Sequence, residues 1–381
     1  MRRVILNVVK NLKSNSWCTQ ILRFAQDDTS FILRVAWLSL CICLPLQSGA
    51  QEPFRVMFWN VENLFDTKED AQKSDEEFLP DAPRHWTPSR YQDKLKKLAK
   101  TIVASGEERV PDLVGLCEVE NDSCLRDLTR RSPLREAGYR YVMTHSPDKR
   151  GIDVALLYQR GSFQLISQKS IRIPHRQARR EPTRDILHVS GRILSGDTLD
   201  VMVCHFPSRG GGEAKTEPYR LLVAEVLRRT ADSLMQVRQH PYLIIMGDFN
   251  DCPSNKSLRK VLCGKGDLVN LMEGMKKGTY RYRAEWGIFD QFIVSRNMQA
   301  KNKNAFTKNK YAKAKKENAS VFVKNVQILR HPFLLEEDDK YGGQKPFRTY
   351  NGMKYMGGYS DHLPIALDLL IRDDKGYYSR W

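Results

Sequence analysis

An α/β fold is predicted by two recurring features of the sequence. Short apolar runs with β-branched residues alternate with stretches of helical periodicity, and run after run stops in a carboxylate, an amide or an imidazole. The clearest case is Tyr242 to Ser254, YLIIMGDFNDCPS. Leu243, Ile244, Ile245 and Met246 lie between Pro241 and Gly247 and read as a strand buried on both faces. Asp248, Asn250 and Asp251 follow at its carboxyl end, where α/β sheets bind ligands. Gly, Asp and Asn also favour turns, so GDFND read alone is equally a strand-to-loop connection. A second cluster, GGYSDHLPIAL at Gly357 to Leu367, sets Ser360, Asp361 and His362 before another apolar run. Two such clusters, far apart in sequence, suggest one site.

The remaining elements follow in order. Phe54 to Trp59 alternates as a strand and ends in Asn60, Glu62, Asn63 and Asp66. Residues 67 to 89 read as an exposed loop. Tyr91, Leu95, Leu98 and Ile102 have helical spacing, with Ser89 as the cap. Leu113 to Cys117 is a strand stopping at Glu118, Glu120 and Asn121. Asp153 to Tyr158 and Phe163 to Ile166 read as paired strands about a turn at Gly161. Thr183 and Arg184 lead into a strand at Ile186 to Ser190. Leu199 to Cys204 is another and ends in His205, Phe206 and Pro207. Leu221, Leu222, Val226 and Leu227 mark a long helix, and Ile288 to Val294 is a strand carrying Asp290 among apolar residues. A buried carboxylate needs a partner, so Asp290 is the least bland of these positions.

The chain has 381 residues, 41% of them hydrophobic, which is enough for a substantial core, and its formal charge is +17. That balance favours acidic partners such as nucleic acid, phosphorylated small molecules or anionic surfaces. Residues 1–50 read as a leader with a signal peptide at about 31–50. Arg34 precedes the apolar run Val35 to Leu46, and Ser48, Gly49 and Ala50 offer a cleavage site. The preceding thirty residues are long for such a region and carry Asp27 and Asp28, as an over-extended start would. An exported protein, periplasmic or secreted, with no membrane span left after cleavage is expected. The rest, 51–381, reads as one domain with a basic insertion at 297–320. From Lys301 to Lys316 there are seven lysines and no acid, either a solvated loop or a phosphate-backbone contact.

Five cysteines follow the leader. Cys117 and Cys204 sit in strand patterns as small core residues, Cys252 and Cys263 are placed for a short-loop bridge, and no metal-type spacing occurs.

Asn60, Glu118, His205, Asp248, Asn250, Asp290, Asp361 and His362 would thus face one crevice. Oxygen ligands without thiolates point to a hard divalent ion, magnesium, manganese or calcium. Two histidines add acid or base capacity near neutral pH. The set suits hydrolysis of a phosphate ester, with charge neutralised on the phosphoryl oxygens and a carboxylate preparing the water.

Six blocks carry a resemblance to a known family: WNVENLFD at Trp59 to Asp66, LCEVEN at Leu116 to Asn121, CHFPSRGGG at Cys204 to Gly212, GDFND at Gly247 to Asp251, FDQFIV at Phe289 to Val294 and SDHLPI at Ser360 to Ile365. In this order they resemble the endonuclease/exonuclease/phosphatase superfamily, which includes deoxyribonuclease I, over about residues 54 to 372. The resemblance implies a four-layer sandwich of two mixed β-sheets flanked by helices. It also implies Glu118 as principal metal ligand with Asn60 and Asp361 near the ion. Asp248 would prepare the water, Asn250 would hold the phosphate, and His205 and His362 would face it, Asp290 holding His362. Arg184 resembles a phosphate-gripping arginine, and Asp153 is the candidate partner of His205. A monomeric metal-dependent phosphodiesterase is expected, with nucleic acid favoured as substrate by the basic charge, the lysine-rich insertion and the exported location. The alternatives are hydrolysis of a lipid, inositol or sugar phosphate, and a non-catalytic phosphate-binding protein on the same fold.

Overall fold

The computed structural model describes residues 53–174, 182–299 and 320–372, all within one contact unit, Gln51–Trp381. The leader and nearly all of the lysine-rich insertion lie outside the described residues.

In chain order the elements are β1 (Phe54–Leu64), α1 (Pro88–Ala104), β2 (Leu113–Val119), α2 (Asp122–Arg130), β3 (Arg140–Met143), β4 (Asp153–Tyr158), β5 (Gln164–Ile171), β6 (Ile186–Arg192), β7 (Thr198–His205), α3 (Glu213–Val237), β8 (Tyr242–Asp248) and β9 (Leu268–Asn270). They continue with the hairpin β10 (Tyr280–Tyr282) and β11 (Glu285–Gly287), then β12 (Asp290–Ser295) and β13 (Val321–Ile328). After them come β14 (Leu335–Glu337), β15 (Gln344–Pro346), β16 (Tyr350–Asn351), β17 (Lys354–Tyr355) and β18 (Ile365–Ile371). Two six-stranded sheets result, ordered β13-β18-β1-β2-β4-β3 and β5-β6-β7-β8-β12-β9. Both are mixed: β1 runs parallel to β2, β7 runs parallel to β8, and the other pairs are antiparallel.

Alternation along the strands sends one set of side chains between the sheets. Phe58, Val154, Leu156, Val203, Met246, Phe292 and Leu367 form that inner core. The opposite face of the first sheet, with Met57, Trp59, Leu116 and Leu157, packs on Leu95, Leu98 and Ile102 of α1 and on Leu125 and Leu128 of α2. The outer face of the second sheet, with Met202, Cys204, Ile245 and Ile293, packs on Val223, Leu227 and Ala231 of α3. Helices, sheet, sheet, helices: this is the four-layer sandwich. No helix among the described residues is long and apolar enough to cross a membrane.

Several local expectations are corrected. β4 and β5 are not a pair: β4 joins β2 and β3, whereas β5 opens the second sheet beside β6. The chain changes sheets at Gly161 because Phe163 dives into the inner core. Its ring lies where a Cβ on Gly191 would sit, 2.2 Å away, so glycine alone makes room. Helix α1 is capped by Thr87 rather than Ser89, its side chain accepting from Arg90 N, and Pro88 occupies the first turn. The segment 67–89 is not wholly exposed. Phe78 stacks on Phe65 at 4.1 Å, and buried Trp86 donates to the Phe65 carbonyl at 2.9 Å. The five cysteines are free thiols, so Cys252 and Cys263 form no bridge.

Candidate active site

Strand register assembles the site. Asn60 lies opposite Cys117 across the parallel β1–β2 pair, which puts Glu118 one residue beyond it. In the other sheet His205 lies opposite Asp248, and Asp248 opposite Asp290. The two groups meet where Asn60 Nδ2 donates across to Asp248 Oδ2 at 3.0 Å. His362, just before β18, donates from Nδ1 to Asp290 Oδ2 at 2.8 Å.

Asp248 Oδ2 is the focus. His205 Nε2 lies 3.6 Å from it and His362 Nε2 lies 3.7 Å from it, so two imidazoles converge on one carboxylate oxygen. Burial and neighbouring Asp290 push the Asp248 carboxyl up, against the pull of His362. Burial would lower the pKa of His362, but the Asp290 and Asp248 carboxylates outweigh it and hold the imidazole well above the ordinary range. His205 goes the other way. Burial and the Arg184 charge keep it neutral, despite the opposing pull of Glu118. Asn250 donates its backbone N–H to Asp248 Oδ1 at 2.8 Å and Nδ2 to the Phe206 carbonyl at 3.1 Å.

Glu118 accepts from Asn63 N at 3.0 Å, and Arg150 lies 3.1 Å from the same Oε2. Burial would raise its pKa, yet the charges of Arg150, His362 and Arg184 hold it at about 2. Asp361 Oδ2 is paired with Arg348 at 2.8 Å. Asn60 turns its nitrogen, not its oxygen, toward Glu118 and Asp248, because Oδ1 accepts from Glu62 N. In this structure it is a hydrogen-bonding bridge between Glu118 and Asp248. Glu118 and Asp361 are the hard, ionisable oxygen donors that fit a divalent cation. The close donor group Asp248, Asp290 and His362 is already joined internally by the Asp290–His362 bond.

Two features mark this region as more than a loop cluster. Glu62, Asn63, Glu118 and Asn250 all have left-handed φ, between 49° and 64°, a strain that persists where the surroundings impose it. Among the described residues, buried Asp148 Oδ1, Arg184 Nε, His205 Nδ1, Asp290 Oδ1 and Arg348 Nε have no hydrogen-bond partner.

Arg184 stands beside the site, donating to the Phe206 carbonyl at 2.9 Å and to Asp148 at 3.2 Å. Asp153 is not the partner of His205. Its Oδ1 accepts from Thr144 Oγ1 at 2.5 Å and from Ser146 N at 2.9 Å, because it opens β4 opposite Val119 and ties down residues 144–146. Sequence reasoning missed Arg150 and Arg348, which are ordinary-looking arginines in a basic chain. It also missed Lys94, where a signal existed: Lys94 falls on the apolar face of α1 with Tyr91 and Leu98.

A sequence model of the Endonuclease/Exonuclease/phosphatase family matches residues 55–370, and the chain belongs to that family. No curated protein matches the sequence significantly. Among solved structures, the human Nocturnin catalytic domain with bound sulfate aligns at TM-score 0.52 and 18% identity, covering 84% of this chain and 94% of that one. A Bacteroides thetaiotaomicron mannosyl-6-phosphatase aligns at 0.52 and 16%, covering 84% and 100%. Danio rerio TDP2 complexed with a single-strand DNA product aligns at 0.51 and 14%, covering 83% and 98%. At these identities the likeness concerns the fold. Family membership makes the chain a hydrolase of phosphate esters.

Proposed function

We propose that the protein is an exported, monomeric, divalent-metal-dependent phosphodiesterase that cleaves nucleic acid by direct attack of water on phosphorus. The observation that carries the reading is the convergence of His205 and His362 on Asp248 Oδ2 beside ionised Glu118. Asp248, its pKa raised by burial, accepts the proton of the attacking water. Asn60 and Asn250 fix the orientation of that carboxylate through 3.0 and 2.8 Å hydrogen bonds. His362, kept protonated by Asp290, donates to a phosphoryl oxygen, and neutral His205 offers a second contact without adding charge. A divalent ion held by Glu118 and Asp361 would neutralise charge building on the phosphoryl and leaving oxygens. Nucleic acid as substrate is supported by the charge of +17 and the lysine run at 301–316.

One observation favours a second reading, a phosphatase acting on a small phosphomonoester. Arg150 and Arg348, both reaching the carboxylates at the rim, supply the two positive charges that a terminal phosphate dianion requires. The test is hydrolysis of plasmid DNA, RNA, bis-p-nitrophenyl phosphate and p-nitrophenyl phosphate with magnesium, manganese or calcium, against an EDTA control. Metal-dependent nicking of plasmid DNA is expected. Turnover of the monoester alone would move the substrate to the second reading, and full activity in EDTA would refute metal dependence.

A further inference from the structure

Arg348 differs from the structural arginines of the fold. Arg220, fully buried, spends its donors internally: Nε on Asp251 at 2.8 Å, one terminal nitrogen on Thr216 Oγ1 at 2.7 Å, the other on the Glu213 carbonyl at 3.1 Å. Among the described residues the Arg348 guanidinium makes one hydrogen bond, to Asp361 Oδ2 at 2.8 Å. Its Nε lies 3.7 Å from Glu62 Oε1, beyond hydrogen-bond reach, and is unpaired among the described residues, although a third of the side chain is exposed. A guanidinium has five N–H donors in a fixed fork, so most of this one remains available at the rim.

The segment bearing it is held unusually firmly. Buried Glu62 accepts from Thr349 N at 2.6 Å and Tyr350 N at 3.2 Å. Lys94, also buried, reaches the same segment from α1, donating to Thr349 Oγ1 at 2.5 Å and to the Tyr359 carbonyl at 2.6 Å. Gly358 N donates to the Arg348 carbonyl at 3.1 Å, and a Cβ on Gly358 would lie 2.3 Å from that oxygen, so only glycine permits the approach. Burying a lysine and a glutamate is costly unless the result is worth fixing. What they fix is the backbone that directly follows Arg348, at Thr349 and Tyr350. Asp361, to whose carboxylate Arg348 donates, directly precedes His362, whose ring packs 4.7 Å from that of Tyr280.

We infer that Arg348 is a substrate-binding residue whose pinned guanidinium grips non-bridging oxygens of the phosphate beside His362, with Asp361 aiming the fork. A pre-positioned arginine loses little side-chain entropy on binding, and a charge-assisted fork suits phosphate geometry. The inference rests on reading this site as that of a phosphate-ester hydrolase and adds a residue that sets how tightly the phosphate is held.

The test uses the full chain with Arg348→Gln and Arg348→Lys, each first shown by thermal unfolding to be folded. Binding of inorganic phosphate and, separately, of Mn2+ is measured by calorimetry, with kcat/KM on p-nitrophenyl phosphate and bis-p-nitrophenyl phosphate. Arg348→Gln should weaken phosphate binding and lower kcat/KM by about ten- to a hundredfold, leaving Mn2+ affinity within about threefold, and lysine should recover part of the loss by restoring charge without the fork. An equal loss on both esters assigns the contact to the scissile phosphate; a loss confined to the monoester assigns it to a terminal one. Unchanged phosphate affinity in Arg348→Gln, with or without altered Mn2+ affinity, would overturn the inference and reduce Arg348 to a positioning residue for Asp361. Should the wild type hydrolyse neither ester, the hydrolase reading falls, while the phosphate titration still decides the role of Arg348.

Discussion

Asp290→Asn isolates charge from geometry at the centre of the site. Asp290 is fully buried and accepts the His362 Nδ1 hydrogen at 2.8 Å. An asparagine oxygen can accept the same hydrogen, so the imidazole keeps its orientation and loses only the negative charge beside it. A hydrogen bond to a charged group contributes about 1.5–3 kcal/mol against about 1 kcal/mol for a neutral pair, and one pKa unit is about 1.4 kcal/mol. The substitution therefore lowers the pKa of His362 by roughly one unit. The sign follows from the balance at this residue. Burial already lowers that pKa, and without Asp290 the Asp248 and Asp361 carboxylates are left to oppose it. A protonated His362 is then available only at lower pH. At saturating metal, the alkaline limb of kcat/KM on bis-p-nitrophenyl phosphate should move about one unit toward acid. Above the limb, activity should fall by about tenfold, the factor by which a one-unit shift reduces the protonated fraction. At acid pH the loss should shrink. A profile lowered by the same factor at every pH would refute the reasoning, because the variant would then have damaged the site without changing when His362 carries its proton.

Two further predictions concern stability. Asp200 lies away from the site and takes hydrogen bonds from His188, Arg238 and Ser190; against the effect of burial these hold its carboxyl at about 2. A depressed carboxyl stabilises the fold above its unfolded value near 3.8 and loses that contribution as pH falls through about 2. Asp200→Asn should cost about 2 kcal/mol in urea denaturation at neutral pH, with the deficit closing in strongly acid solution; an equal deficit at both pH values would count against it. Arg220→Met removes one partner of a buried ion pair and leaves Asp251, which also holds Arg209 and Ser257, partly uncompensated. A loss of about 3–5 kcal/mol is expected, and adding Asp251→Asn should recover part of it. No recovery in the double variant would show that the cost came from packing.

Strand ends were legible from sequence because burial and chemistry meet there abruptly. A run such as Leu243 to Met246 must be covered on both faces, so the polar residues that follow it can only be at the rim. Sheet membership was not legible. Asp153 to Tyr158 and Phe163 to Ile166 look like a hairpin by spacing, yet the choice of partner strands rests on where Phe163 finds a cavity, and that cavity is made by Gly191, far along the chain. Asp153 misled for a related reason. A carboxylate at the start of a strand reads as functional whether it faces the crevice or, as here, ties down the neighbouring turn. Arg150 and Arg348 could not be singled out among 62 lysines and arginines, because what distinguishes them is a partner across the fold. Lys94 is different: a lysine in step with Tyr91 and Leu98 contradicts the helix's own pattern, and that conflict is visible without coordinates.

The position of the site follows from the two parallel pairs. Antiparallel neighbours alternate direction, so strands joined only that way would scatter their carboxyl ends between both edges of a sheet. β1 with β2 and β7 with β8 bring two carboxyl ends to one edge of each sheet, and the sheets face each other with those edges together, as the Asn60–Asp248 bond shows. β12 runs the other way and so contributes its first residue, Asp290, not its last, opposite Asp248. The same register that places His205 against Asp248 therefore places Asp290 within reach of His362. A one-residue slip in β8 would turn Asp248 away from the crevice and bury Gly247 in its place. The apolar residues of β8 oppose that slip, since Ile244 and Met246 would leave the inner core together. Packing between the sheets thus fixes the geometry at the crevice, where the left-handed backbone of Glu62, Asn63, Glu118 and Asn250 persists.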